Sequence, residues 1–113
     1  MDPVVLELCR LRIATLLGCE VERRLRHPKA RAAGLGEAQV GEVDRWPTSP
    51  RFTAFQRLCL AFAEQYVLDP HGVTDSDFAA LRDYLEPPAV ATLVLAIAVF
   101  EAQARFRLAL DVA

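Results

Sequence analysis

Pro87-Pro88-Ala89-Val90-Ala91-Thr92-Leu93-Val94-Leu95-Ala96-Ile97-Ala98-Val99-Phe100 decides the fold class. A proline pair marks a helix start, and twelve residues follow without a charge or a turn former. From Glu101 the pattern becomes amphipathic and runs on through Phe106 to Leu110. The length and near-uniform apolarity predict a helix at the core or at an interface. The apolar run, counted from Ala89 to Phe100, is shorter than the roughly 18–20 residues that span a bilayer, so a soluble, membrane-free protein is expected.

Outward from this helix, every other segment carries helical signals. Asp2-Pro3 pairs an N-cap acceptor with a proline at the first helical position. Val4 to Leu17 is then apolar nearly all round, interrupted by Glu7, Arg10 and Arg12, and Gly18 ends it. Pro28 predicts a kink or two short helices meeting near His27, and Gly34 predicts a left-handed C-terminal turn. Glu37 to Val43 allows one or two helical turns, and Trp46 to Pro50 reads as loop. Thr53 and Gln56 match a capping box, and the helix they open carries a stripe of Phe55, Leu58, Cys59, Phe62 and Tyr66. Asp69 to Gly72 is a turn. Thr74 caps a further helix, with Val73 and Phe78 as a hydrophobic staple and Phe78, Leu81 and Leu85 facing inward. Strand-like alternation between hairpin turns is absent. The expectation is an all-α domain of about five or six helices covering residues 1–113.

The 113 residues are 53% hydrophobic and 25% charged, with a formal net charge of −2. That balance excludes a phosphate-neutralising surface, so no nucleic acid partner is expected. So much apolar residue in so short a chain predicts burial between subunits, hence a homo-oligomer. Cys9, Cys19 and Cys59 are odd in number and widely spaced, which argues against a disulfide framework and against a zinc site; no metal or other cofactor is expected. A reducing cytoplasmic setting fits those free thiols and the absence of a basic-then-apolar leader.

The segment Gly18 to Leu35 gathers the candidate chemistry. Cys19 follows Gly18 at a helix start, where the helix dipole and Arg23 one turn on would favour a thiolate; a small buried side chain is the plainer reading. Glu22 and Arg26 are spaced as an i, i+4 ion pair. His27, beside Pro28, is an N-cap or a site histidine. Glu7, a carboxylate in an apolar helix, must be satisfied or have a raised pKa suited to acid–base work. Cys59 lies on an apolar stripe and reads as core. Glu101 and Arg105 form a further i, i+4 pair.

Glu7, then Gly18-Cys19, then Ala30-Arg31-Ala32-Ala33-Gly34-Leu35 resembles the carboxymuconolactone decarboxylase and alkylhydroperoxidase D-like family. Phe52-Thr53, Leu60-Ala61-Phe62-Ala63-Glu64, the run from Val73 to Arg82, Leu95 to Phe100 and Arg105-Phe106 are similar too, so the resemblance spans Val4 to Val112. It implies an all-helical fold, assembly as trimers or hexamers, and sites between helices near subunit interfaces. The redox branch of that family pairs Cys-x-x-Cys with a histidine four residues later and an upstream glutamate. Here Glu7 and Cys19 match, but Glu22 stands at the second cysteine and Arg26 at the histidine, so a dithiol cycle through the motif is ruled out. The decarboxylase-like branch often has glutamate at the position of Glu22. His27 lies one residue, about 100° of helix, from the histidine position. The resemblance thus implies a small organic acid or lactone as substrate, Glu7 and Glu22 as acid–base groups, and Arg26 and His27 as substrate contacts. Single-thiol hydroperoxide reduction through Cys19 and a non-catalytic binding subunit are the alternatives.

Overall fold

Helix α1 (Pro3–Leu17) begins where Asp2 accepts a hydrogen bond from the Val4 N–H at 2.9 Å and Pro3 occupies the first turn. It ends at Gly18, whose φ of 75° lies in the left-handed region. The Gly18 N–H donates to Thr15 O and the Cys19 N–H to Ala14 O, a Schellman closure. The computed structural model describes residues 1–110, and among these it contains no strand.

Two one-turn helices follow, α2 (Glu20–Arg24) and α3 (Pro28–Ala32), joined by extended backbone at Leu25. Pro28 therefore separates two short helices, as its missing N–H requires. His27 caps the second, its Nδ1 accepting from the Lys29 N–H at 3.2 Å. Gly34, with φ of 107°, closes α3 as Gly18 closes α1: its N–H donates to Arg31 O and that of Leu35 to Ala30 O. Helix α4 (Glu37–Val40) and a 3-10 turn at Val43–Arg45 lead into the Trp46–Pro50 loop.

Helix α5 (Ala54–Leu68) opens with the expected capping box between Thr53 and Gln56. A 3-10 turn at Pro70–Gly72 precedes α6 (Asp75–Arg82), where Thr74 and Asp77 form a second, reciprocal box. Leu81 is fully buried, whereas Phe78 and Leu85 are partly so. Helix α7 (Pro87–Leu110) is the last described element, and the described residues are all-α, with four helices of eight residues or more and one-turn pieces between.

The core is built where α1 packs against α5 and α7. Leu8, Leu11 and Ile13 of α1, Cys59 and Leu60 of α5, and Leu93 and Ile97 of α7 are fully buried in one continuous cluster. Helix α1 buries more than one side, as its sequence predicted. Helix α7 reaches 24 residues, which extends beyond the run that ends at Phe100; by length and composition it could cross a bilayer. One face of it, including Val90, Leu93, Ile97 and Ala104, packs into the core.

Because Ile97 is sealed, Ile97→Ala should cost about 2–5 kcal/mol by transfer and cavity effects. Thr53→Ala should cost about 1 kcal/mol through the lost cap. Urea unfolding followed by circular dichroism ranks the two, and equal losses would contradict this placement of the core.

Candidate functional site

The segment between the two glycine closures is held to α1 chiefly by Arg10, with Glu7 beside it. Its Nε donates to Glu7 Oε1 at 2.6 Å, and its Nη2 to Glu7 Oε2 at 2.9 Å. The Nη1 group donates to the Glu22 carboxylate at 2.8 Å and to the Glu22 carbonyl at 2.6 Å. A second bond from Nη2 reaches the Leu25 carbonyl at 2.6 Å. A guanidinium has five N–H donors, and all five are used. Arg10, Glu7 and Glu22 are all buried.

Glu7 is satisfied rather than primed. Burial pushes its carboxyl up, but the Arg10 hydrogen bonds, the His27 backbone N–H at 2.7 Å and the Arg10 charge outweigh that. The pKa falls below the ordinary glutamate value, so of the two readings of Glu7 the geometry supports the satisfied carboxylate and not the raised acid–base pKa. Glu7 is therefore an ionised anchor for Arg10 and for the start of α3.

Glu22 sits between two arginines. Its Oε2 takes the Arg10 bond, and its Oε1 accepts from Arg107 Nε of α7 at 2.8 Å. The expected Glu22–Arg26 pair does not form, because the backbone leaves the helix at Leu25, where ψ is 150°. Arg26 instead makes a two-pronged pair with Glu37, at 3.0 and 3.1 Å. Its side chain is thus committed to α4 rather than to Glu22. His27 is exposed and caps α3 through Nδ1, so the structure gives it a capping role and does not bring it to the Glu22 carboxylate.

Cys19 is 3% exposed and occupies the position where a Schellman closure places an apolar residue. Leu35, also buried, holds the equivalent place after Gly34. Arg23, expected to favour a Cys19 thiolate, directs Nη2 to Asp44 at 2.8 Å. Cys59 is core, as expected; burial, with the Asp2 carboxylate adding to it, pushes its thiol up to about 12. Cys9 is raised further by burial and by Cys59. These two thiols are held protonated and inert.

Glu22 and Arg107 line an open groove of about 550 Å³ together with Val99, Ala102, Gln103 and Phe106 of α7. Sequence reasoning missed both arginines that matter here. Arg10 had a signal, standing three residues after Glu7; Arg107, 85 residues from its carboxylate partner, had none. Among the described residues no cluster of three or more His, Cys, Asp or Glu side chains could hold a metal ion. Glu101 and Arg105 make a loose surface pair at 3.9 Å.

No family model matches the chain. It is 31% identical over 113 residues to YnjA of Escherichia coli K12, covering 99% of this chain and 62% of that protein, which is described as uncharacterized. Two Mycobacterium tuberculosis proteins, MT2376 and Rv2313c, are each 36% identical over 70 residues and are likewise described as uncharacterized. Those matches cover 62% of this chain and 25% of each relative. The chain thus spans less than two thirds of the length of the relatives it matches.

Arg10→Met should leave two buried carboxylates without their shared cation and cost about 3–5 kcal/mol. The pH dependence should change as well. In the native chain the folded Glu7 pKa lies below the unfolded one, so the unfolded state binds the extra proton in acid. The stabilisation from Glu7 is then full above the ordinary value near 4.3 and is lost as pH falls through the lower folded pKa. In Arg10→Met only the His27 N–H bond still opposes burial, so the folded Glu7 pKa rises and the loss of stability on going into acid should shrink. Denaturant midpoints between pH 3 and 7, about the ordinary glutamate range, decide it; parallel curves for the two proteins would refute the anchor role.

Proposed function

We propose that this chain is a carboxymuconolactone decarboxylase-like protein whose site binds a small organic acid or lactone and acts on it, where it acts, by acid–base rather than dithiol chemistry. The observation that carries the reading is the Glu22 carboxylate, shared between buried Arg10 and groove-lining Arg107. An open, mostly apolar groove whose lining includes a carboxylate and a guanidinium suits a ligand with a short hydrocarbon body and one acidic group. Only the Nε of Arg107 is hydrogen-bonded among the described residues, which leaves its Nη donors to grip a carboxylate. Arg107 thereby takes the role that the family resemblance suggested for Arg26. Glu22 is the group placed to accept or return a proton at the ligand, with Arg10 fixing its position.

The single-thiol alternative receives less support, since Cys19 is sealed and has a packing role. The family reading also implies a homo-oligomer of three or six chains.

Titration calorimetry with a panel of short mono- and dicarboxylates should give saturable binding that Arg107→Met abolishes. Where a substrate is found, Glu22→Gln should remove turnover and Cys19→Ser should spare it. Loss of turnover in Cys19→Ser with Glu22→Gln unaffected would reverse the assignment. Carboxylate binding unchanged by Arg107→Met would remove the groove from it.

A further inference from the structure

The part of α7 that lines the groove is graded along the helix axis. Val99, Gln103 and Arg107 stand four residues apart in one row of an unbroken helix, and all three line the groove. The row reads apolar, neutral polar and cationic, with about 6 Å of rise from each residue to the next. Ala102 and Phe106 make the neighbouring row, again one turn apart. Glu22 and Arg107 are paired with each other, and Glu22 with Arg10. Gln103 stands outside that network: it is exposed, and among the described residues its amide has no hydrogen-bond partner. It is also the uncharged polar side chain of this lining.

We propose that Gln103 determines specificity in this groove, selecting carboxylic acids that carry an uncharged oxygen, a ketone or a hydroxyl, about one helical turn from the acidic group. The assignment rests on the reading that Arg107 grips the carboxylate, and it specifies the rest of the ligand. A carboxamide both donates and accepts, so its NH2 group meets a ketone oxygen and its own oxygen accepts from a hydroxyl. The rise of about 6 Å between Arg107 and Gln103 is spanned by about four or five carbon–carbon bonds of an extended chain. That places the oxygen on about the fifth or sixth carbon of the acid. Val99, a further turn along the row, offers only an apolar contact, so the chain beyond the oxygen is hydrocarbon.

A plain fatty acid and a dicarboxylate of the same span both fit the row less well. Hydrocarbon laid over Gln103 would take its amide out of water without a partner, a loss that an apolar side chain at this position would not incur. A second ionised group at Gln103 would meet a dipole where it needs a cation, in a lining whose one guanidinium is already engaged by the first carboxylate. The Glu22 carboxylate in the same lining would repel it further. A neutral oxygen satisfies the amide without either penalty. The expected discrimination is that of one net hydrogen bond, about fivefold in affinity.

Calorimetric titration with nonanoate, its fifth-carbon ketone and its second-carbon ketone decides between these ligands. The native chain should bind the fifth-carbon ketone about fivefold more tightly than nonanoate. Gln103→Leu, at an exposed position where circular dichroism should show an unchanged fold, should erase that preference without weakening nonanoate. Binding of the second-carbon ketone, whose oxygen adjoins the carboxylate and lies short of Gln103, should be no weaker in Gln103→Leu than in the native chain. Arg107→Met should weaken all three acids. Equal affinity of the native chain for nonanoate and the fifth-carbon ketone, or a preference that survives Gln103→Leu, would overturn the role of Gln103 and leave that of Arg107 standing. Binding of none of the acids, or binding unmoved by Arg107→Met, would remove the carboxylate reading itself and the role of Gln103 with it.

Discussion

Arg10 is the constraint on which the site segment depends. A guanidinium taken out of water loses its hydration, and only a full set of well-placed acceptors offsets that loss. The two carboxylate groups supply charge, and the Glu22 and Leu25 carbonyls complete the set. Buried ion pairs of this kind contribute little net stability against an apolar replacement, so their effect lies in position. Any shift of α2 or of the Leu25 turn would strand a donor in a region where stranded donors are expensive. Arg10, together with Arg107 on the other carboxylate oxygen, thus fixes Glu22 to the hydrogen-bond scale.

That fixing is needed because the segment cannot hold itself. Helices α2 and α3 have five residues each, too few to repay the cost of nucleating a helix. They are ordered by what surrounds them: a glycine closure at each end, a histidine cap in the middle and Arg10 beneath. The Glu7 carboxylate serves two of these at once, holding Arg10 and receiving the His27 N–H. A second network braces the other side of α1, where Arg12 and Trp46 both donate to Glu64 and Arg12 and Arg23 both reach Asp44.

How much of this the sequence discloses follows from the range of each interaction. Caps act over two to four residues, and Asp2, Gly18, His27, Gly34 and the Thr53–Gln56 box are all legible. The apolar stripe of α5 is legible for the same reason. The Glu22–Arg26 pair misleads because i, i+4 geometry exists only while the helix continues, and the backbone at Leu25 is extended. The true partners of Glu22 lie 12 and 85 residues away and come from packing of α1 and α7, which no local rule contains. Helix α7 shows the same limit differently. Its apolarity is plain in the sequence, but a helix apolar all round does not say which side the core takes.

The two faces of α7 differ in what holds them. Val90, Leu93, Ile97 and Ala104 are buried, and Arg107 Nε reaches the buried Glu22 carboxylate, so one side of the helix is tied both to the core and to the charge network. Val99, Ala102 and Phe106, which line the groove, are exposed. The position of Glu22 therefore follows from burial and from two arginines on different helices, whereas the apolar wall beside it is not constrained in that way among the described residues.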